Sequence, residues 1–254
     1  MTTSAPRLAW VLALTAAAFA VPARAQTPRD SLGWHYVLSL GYVQTSGNTQ
    51  LSTVNVTDKL TWRPDLRWIL TRTGSWVYAR TSGVESANQI ELGFRADYVV
   101  GPRLTAFGLA GYEQDNFAGG AHRFEELVGI SWTVAQTPRQ VLKVDIGAGN
   151  TQQLTGGVSA SYFIARIAPQ YRYNLSGKAY LEEAVELLEN LQTTGDLRVT
   201  STTALVAPLS SRIAVRLGYL VHYVAQPPIN AAVTPNVLFK KLDTTFTSGI
   251  QLSL

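Results

Sequence analysis

The sequence contains few side chains that could carry out acid–base or nucleophilic chemistry. Its only imidazoles are those of His35, His122 and His222. A serine hydrolase needs a hydroxyl beside such an imidazole, and a carboxylate or amide that orients the imidazole. Ser159 and Ser161 lie on a predicted strand near His122, but none of these residues is part of a recognisable nucleophile motif. The sequence therefore favours structural histidines, with a hydrolase that uses His122 or His222 as the alternative.

Metal and phosphate chemistry find less support. The chain has no cysteine, which excludes a disulfide framework, a thiol nucleophile and a thiolate metal site. Glu113, Asp115 and Asn116 could offer oxygen ligands to a hard cation, but their spacing lacks the order of an EF-hand loop. Residues 147–150 are rich in glycine, yet no helix is predicted after them, as a phosphate loop requires. We predict no catalytic residue, no metal and no cofactor.

The composition narrows the class of protein. Of 254 residues, 46% are hydrophobic and only 15% are charged, which excludes a disordered chain. The formal net charge is +4, and no run of five basic residues concentrates it. Nucleic acid is therefore not an expected partner.

The first 25 residues have the features of a secretory signal peptide. Arg7 supplies a positive charge, residues 8–21 are uncharged and apolar, and residues 23–25 read Ala-Arg-Ala. The apolar stretch is shorter than the ~20 residues that a membrane-spanning helix requires. We predict cleavage before Gln26, so that residues 26–254 form a single mature domain.

Alternation of apolar and polar residues dominates this mature domain. Ile90, Leu92 and Phe94 alternate with polar neighbours, and residues 212–222 follow the same rule. A period of two predicts strands with one apolar and one polar face. A soluble β-sandwich would have the same pattern, so the spacing of the turns has to separate the two folds.

Turn signals recur about every 36 residues, which is the length of two strands and two turns. Pro64, Pro102, Pro138 and Pro208 mark one set of turns, and residues 174–177 supply its missing member. Glycine-rich breaks fall midway between them. The resulting strands are long for a globular sheet but match a tilted bilayer crossing of about 9–11 residues. We predict a closed antiparallel transmembrane β-barrel of about 12 strands.

Aromatic residues support a particular orientation of the barrel in the membrane. An even strand number puts both termini and the proline turns on the periplasmic side of an outer-membrane barrel. Trp and Tyr prefer the level of the lipid headgroups. The predicted membrane-interface girdle near the proline turns consists of Trp34, Trp62, Trp68, Tyr98, Trp132, Tyr171 and Tyr173. Trp76 does not fit this pattern.

Residues 178–191 conflict with an all-β fold. Leu181, Val185 and Leu188 with glutamates between them are typical of an amphipathic helix. Loss of this strand would leave an odd number of strands and a terminus on the wrong side of the membrane. We therefore predict that the segment forms the ninth strand.

Several short runs of this chain occur in the same order in a known family. They comprise residues 41–49 (GYVQTSGNT), 112–115 (YEQD), 207–210 (APLS), 217–219 (LGY) and 226–228 (QPP) ahead of 243–245 (DTT). In these runs the chain resembles the YdiY-like salt-stress-induced outer-membrane family (domain of unknown function 481). The resemblance implies an outer-membrane barrel of a Gram-negative bacterium, linked by name to salt stress. It supplies no catalytic or binding residues to transfer.

The last strand resembles the terminal signal that the barrel assembly machinery reads, although Leu254 replaces the usual terminal aromatic residue. The expected partners are thus outer-membrane lipid and this machinery, and the expected state is a monomer.

Function depends on the polar face, which points into the lumen if the apolar face meets lipid. The charged and imidazole side chains expected there are Lys59, Arg72, Glu91, Arg95, Asp97, Glu113, Asp115, Arg123, Glu125, Lys143, Asp145, Arg166, Arg172, Arg198, Arg216 and His222. Confined charges must be hydrated or paired, so the mixture of signs is compatible with a plugged or narrow lumen and with a pore for small solutes or ions. The working hypothesis is an envelope protein of salt or osmotic stress. A membrane-embedded hydrolase is the alternative.

Overall fold

A computed structural model of the chain describes residues 32–45, 51–116, 121–155, 157–175, 179–227, 229–230, 237–238 and 240–254. The predicted signal peptide, residues 1–25, lies outside these ranges, as do the predicted turns at residues 46–48, 119–120 and 176–177. In the described part of the chain, no helix is long and apolar enough to cross a membrane.

The described residues form fourteen strands. In chain order they are β1 (Gly33–Thr45), β2 (Leu51–Arg63), β3 (Trp68–Thr81), β4 (Val84–Gly101), β5 (Leu104–Asp115), β6 (Ala121–Gln136), β7 (Gln140–Thr155), β8 (Val158–Asn174), β9 (Tyr180–Asn190), β10 (Leu197–Pro208), β11 (Ile213–Val224), β12 (Ile229–Asn230), β13 (Val237–Leu238) and β14 (Leu242–Ser253). The two-residue strands β12 and β13 pair only with each other, between β11 and β14.

The other twelve strands form a closed antiparallel barrel. Each strand pairs with its neighbours in the chain, and β1 closes the barrel against β14, with Leu40 opposite Ile250. Closure pairs residues 37–41 of β1 with residues 249–253 of β14 and so removes the open sheet edge that a bilayer could not satisfy there. The fold predicted from the turn spacing is confirmed.

The contact between β1 and β14, which we call the seam, requires glycine. Gly249 pairs with Gly41 across the β14–β1 ladder. A Cβ atom at Gly249 would overlap the backbone carbonyl of Leu40. A larger residue would therefore push the two strands apart at the position where the barrel closes.

The exterior of the barrel is apolar. Residues that pair directly across a ladder share a face, and the exposed fractions of Ile90, Leu92 and Phe94 on β4 are 37%, 48% and 53%. Their paired neighbours on β5 include Ala110 and Tyr112. A sheet that exposes this face all round is matched to lipid rather than water, which excludes the soluble sandwich.

The helix-like segment forms strand β9. It pairs with β8 on one side and with β10 on the other. Its intrinsic helix propensity is overridden because a gap in the barrel would leave the facing edges of β8 and β10 unpaired in the membrane. The prediction of a ninth strand is correct.

The turns at the end that the sequence predicts to be periplasmic, called the periplasmic end below, are short. Asp65, in the turn between β2 and β3, accepts hydrogen bonds from the backbone N–H groups of Arg67 (2.7 Å) and Trp68 (2.8 Å). These two donors hold the pKa of Asp65 below its usual value. At the opposite end, β3 and β4 are joined by Ser82 and Gly83, both with positive φ, as a tight hairpin turn requires.

Aromatic residues lie at both ends of the outer face. At the periplasmic end, Trp34 stacks on Trp62 at 5.0 Å and Trp68 meets Tyr98 edge to face at 5.1 Å. Trp76, which the girdle pattern left out, lies further along β3. It is 41% exposed on the outward face and contacts Tyr78 at 5.9 Å. It thus belongs to a second aromatic set, near the outer ends of the strands.

Candidate functional site: the barrel lumen

The strand register decides which charged side chains point inward. Those that share the inward face, among the residues expected there, are Lys59, Glu91, Arg95, Asp97, Glu113, Asp115, Arg123, Glu125, Lys143, Asp145, Arg166, Arg172, Arg198, Arg216 and His222. They come from many strands, so the lumen is charged along most of its height.

Arg72 is on the other face, which corrects the sequence-based expectation. It pairs in register with Leu60 on β2 and Phe94 on β4, both apolar exterior residues. Its guanidinium binds Asp58, which shares that face. Assigning every charged residue of a strand to the lumen fails here because the alternation of β3 puts Arg72 in phase with Trp68 and Trp76.

A network of ion pairs crosses the lumen in its periplasmic half. The carboxylate of Asp145, whose side chain is 1% exposed, accepts from Arg95 at 2.5 Å and from Arg166 at 3.3 Å. Arg95 also binds Asp97 at 2.8 Å, and Arg166 binds Glu186 at 2.6 Å. These five residues, from β4, β7, β8 and β9, are called the ion-paired layer below.

A second polar cluster lies nearer the outer end. Arg123 binds Glu113 at 2.6 Å, and Arg198 contacts Glu125 at 3.5 Å. Arg198 also donates to the hydroxyl of Tyr162. These pairs neutralise one another locally, so most of their charge is not free to attract a solute.

Apolar side chains fill the space beside these clusters. Leu127, Tyr162, Ile164 and Leu188 form a buried group, with Leu109 packed against it. All five residues are on the inward faces of β5, β6, β8 and β9. This wall of the lumen is therefore densely packed.

The opposite wall carries small polar residues, and we call it the hydroxyl wall. It is formed by β14, β1, β2 and β3, and its short inward residues include Thr247, Gly249, Ser39, Gly41, Asn55, Thr57, Thr73 and Ser75. The longer side chain of Lys59 also points inward from this wall, between Thr57 and Thr61. Short side chains leave the space in front of them open.

A cavity of about 1220 Å³ lies between the two walls. It is lined by Thr57, Thr73 and Ser75 on the hydroxyl wall, and it reaches Gln226 and Lys240 near the outer rim. Arg166 and Glu186 are part of its lining, whereas Arg95, Asp97 and Asp145 lie closer to the periplasmic ends of their strands. We call this cavity the vestibule and the ion-paired layer its floor.

Acidic residues outnumber basic ones in the vestibule. Seven acidic and five basic side chains line it: Glu91, Glu113, Asp115, Glu125, Glu186, Asp196 and Asp243 against Arg123, Arg166, Arg198, Arg216 and Lys240. Glu91 accepts hydrogen bonds from Ser75 at 3.2 Å and Gln89 at 2.9 Å, both neutral donors. Its charge therefore contributes to the net negative field of the cavity.

His222 and His122 each lie beside a hydroxyl group, but neither hydroxyl belongs to Ser159 or Ser161. His222 Nδ1 is 3.1 Å from the hydroxyl of Thr200 inside the lumen. His122 is on the outer face, and its Nδ1 is 2.9 Å from the hydroxyl of Tyr112. Ser161 lines the same exterior cleft but donates to Asn150 at 3.1 Å. Among the described residues, no group of histidine and carboxylate side chains is placed to hold a metal ion.

A closed twelve-stranded barrel with an apolar exterior, aromatic ends and a polar interior defines an outer-membrane β-barrel of a Gram-negative bacterium. The family described as "Protein of unknown function, DUF481" matches residues 38–252. The chain belongs to this family, which confirms the resemblance found in its short sequence runs.

Solved structures resemble the chain only in fold. The translocator domain of the autotransporter NalP from Neisseria meningitidis is 11% identical, covers 89% of both chains and gives a TM-score of 0.50. The NanC porin is 10% identical over 86% of this chain and 97% of its own, with a TM-score of 0.48. The KdgM porin is 9% identical over 86% and 99%, with a TM-score of 0.47. No curated protein matches the sequence.

Proposed function

We propose that the barrel is a narrow passage for small polar solutes and ions across the outer membrane, without catalysis. The observation that carries this proposal is the lengthwise division of the lumen. One wall is filled by ion pairs and apolar side chains, and the hydroxyl wall opposite it is lined by short side chains except at Lys59. Solutes move along the hydroxyl wall.

The chemistry of the hydroxyl wall suits this task. Threonine and serine hydroxyls both donate and accept hydrogen bonds. They replace part of the hydration shell of a solute that has to shed water in a narrow lumen. Hydroxyl groups recur along the wall at Ser39, Thr57, Thr73 and Ser75. A moving solute therefore exchanges one hydrogen-bond partner for the next at a small cost in free energy.

The ion-paired layer sets the size limit. Arg95 reaches across from β4 to Asp145 on β7, so its side chain narrows the lumen below the vestibule. A large hydrated solute would have to break these pairs to pass, whereas a small ion or an uncharged solute would not. We therefore expect the passage to exclude large solutes that the wide lumen of a general porin would admit.

The proposal includes the link to salt stress that the family resemblance implies. Mobile ions screen charge pairs over a Debye length of about 8 Å at physiological ionic strength. The pair of Arg166 and Glu186 borders the water of the vestibule, with a glutamate side chain that is 37% exposed. Rising salt would weaken this pair first and loosen the floor.

The proposal also keeps the predicted route to the membrane. Residues 1–25 direct export, and the barrel assembly machinery inserts the chain by recognising β14.

Cysteine accessibility tests the passage, because the chain has no cysteine of its own. The Thr57→Cys variant places a thiol in the vestibule, and Thr61→Cys places one on the same wall, four residues closer to the periplasmic end of β2. Leu40→Cys is the matched control, since Leu40 is 47% exposed on the lipid-facing side of β1. A small, charged, membrane-impermeant thiol reagent is added outside intact cells.

We expect the Thr57→Cys thiol to react fast, the Thr61→Cys thiol to react more slowly, and the Leu40→Cys thiol not to react. Planar-bilayer recordings of the purified protein should show small discrete current steps. Reaction at Thr57→Cys only, together with a silent bilayer, would instead indicate a plugged barrel. Lipid turnover by a silent barrel would favour the hydrolase.

A further inference from the structure

An ion pair lies on the lipid-facing exterior of the barrel. Arg72 Nη1 donates to Asp58 Oδ2 at 2.7 Å, and Nη2 is 3.4 Å from Oδ1. In the β2–β3 ladder Arg72 is opposite Leu60, and Asp58 is opposite Gly74. On the far side of β2, Asp58 is opposite Leu38. Both charges are therefore surrounded by the apolar outer face.

The pair lies near the middle of the apolar band. On β3, the outward residues Trp68, Arg72 and Trp76 follow one another at intervals of four residues. The two tryptophans belong to the aromatic sets at the two ends of the outer face, which mark the two interfaces. On β2, Asp58 is four residues from Trp62, so the two charges lie at nearly the same depth.

The position of the carboxylate depends on a glycine. A Cβ atom at Gly74 would lie 2.5 Å from Asp58 Oδ1. The carboxylate thus occupies the space that a side chain at Gly74 would fill, and the Asp58 side chain is only 16% exposed. The Arg72 side chain is 51% exposed.

This arrangement leaves hydrogen-bonding capacity facing outward. A guanidinium has five N–H donors, and Asp58 accepts from two of the Arg72 nitrogens. Lipid tails accept no hydrogen bonds, so polar groups at this depth normally face protein or water. The exposed face of Arg72 requires an acceptor that the bilayer does not supply.

We propose that the outer face of β2 and β3 binds a second copy of this chain around a two-fold axis parallel to the membrane normal. Such an axis places β3 of one copy opposite β2 of the other. Because Arg72 and Asp58 lie on neighbouring strands at the same depth, each Arg72 would face Asp58 of the second copy. Two-fold interfaces are self-complementary in this way.

The second copy is the occupant that best fits the charges. The face carries one positive and one negative side chain, so a partner patch of a single sign would be repelled by one of them. A second copy presents the same two charges in the reversed order, flanked by the same apolar residues Leu38, Leu60 and Phe94. The barrel is then a dimer, in place of the monomer expected from the sequence.

Cross-linking in native outer membranes tests this interface. Leu60→Cys introduces a thiol on the outward face of β2 beside the pair. Ile167→Cys is the matched control, because Ile167 is 50% exposed on the outward face of β8. With a short, membrane-permeant reagent that joins two thiols, we expect a covalent dimer from Leu60→Cys only. Equal cross-linking of Ile167→Cys, or none at Leu60→Cys, overturns the proposal.

Charge variants made in the Leu60→Cys background distinguish the contacts between the two copies from the ion pair of Arg72 and Asp58 within each copy. Arg72→Asp gives two acidic side chains on the face and Asp58→Arg gives two basic ones. Each replaces both Arg72–Asp58 contacts between the copies with like-charge contacts and should lower its own dimer yield at least about tenfold. When the two variants are expressed together with different tags, their faces are complementary and mixed dimers should form. Failure of the mixed dimer to form, with both variants folded by heat-modifiable migration, overturns the proposal.

An apolar variant covers the case in which single charges prevent folding. Asp58→Leu combined with Arg72→Leu leaves no unpaired charge in the membrane, so we expect a folded barrel with the dimer yield lowered about tenfold. An unchanged dimer yield in this variant overturns the proposal.

Discussion

Arg95 and Asp145 are fifty residues apart in the chain, yet their side chains form a 2.5 Å ion pair across the lumen. Asp145 is also bound by Arg166, so one buried carboxylate holds two guanidinium groups from β4 and β8. The contact between Arg95 and Asp145 joins β4 and β7, which do not pair with each other in the barrel. It therefore contributes both to the closure of the passage and to the stability of the barrel.

Removing this carboxylate should destabilise the barrel strongly. In the Asp145→Asn variant, Arg95 and Arg166 lose the charge they share, and breaking such a buried pair typically costs about 3–5 kcal/mol. The free energy of unfolding, measured by urea titration in lipid vesicles, should fall by this order. Asp243→Asn at the exposed outer rim is the control and should change it little. Equal stability of the two variants would contradict the structural role of Asp145.

Opening the ion-paired layer should raise conductance. Arg95→Ala combined with Asp97→Ala removes two of the charged side chains beneath the vestibule and keeps the net charge. Single-channel current in planar bilayers should rise, because the lumen is wider at its floor. The matched control, Glu113→Ala with Arg123→Ala, removes an ion pair of the wide vestibule and should have a smaller effect. A loss of stability with no change of current would instead support a plug.

The vestibule should prefer cations. Glu91 accepts hydrogen bonds from the neutral donors Ser75 and Gln89, so Glu91→Gln removes net negative charge from the cavity. The reversal potential across a bilayer with a salt gradient should move toward zero, which is its value for a pore without ion selectivity. Glu126→Gln, on the outer face of β6 opposite Asn150, should leave the reversal potential unchanged. The same shift in both variants would mean that the vestibule does not set selectivity.

The seam between β1 and β14 should not tolerate a side chain at Gly249. The Cβ of Gly249→Ala would overlap the Leu40 carbonyl, so the ladder that closes the barrel would be distorted. We expect a lower yield of the folded, heat-modifiable form. Gly108→Ala on β5 meets no atom within 4 Å and should fold like the parent protein. Normal folding of Gly249→Ala would show that the seam can shift.

The turn between β2 and β3 should be sensitive to acid. Because backbone donors lower the pKa of Asp65, its ionised form stabilises the folded turn at neutral pH, and this contribution is lost as the pH falls through the lowered pKa. The difference in urea midpoint between the parent and Asp65→Asn should shrink as the pH is lowered to about 3, below the usual carboxyl pKa. A difference independent of pH would argue against a role for the charge.

The strand count and the closure of the barrel could be predicted from the sequence because they depend on local features. Alternation along residues 89–98 predicts β4, and the proline turns give the period from which twelve strands follow. The same reasoning correctly assigned β9 against its own helix propensity. The outer face, the inner face and the apolar character of the exterior are also consequences of the period of two.

The tertiary structure alone decided which charges meet. Arg72 and Arg95 are both arginines in alternating strands, yet one faces lipid and pairs with Asp58 while the other closes the lumen with Asp145. The alternation of each strand sets the face of each arginine, as Trp68 and Trp76 do for Arg72, whereas the stagger between strands, which brings each arginine to its carboxylate, is fixed only in the closed barrel. The sequence by itself therefore determined the barrel, whereas the division of the lumen into a packed wall and a hydroxyl wall arises from closure.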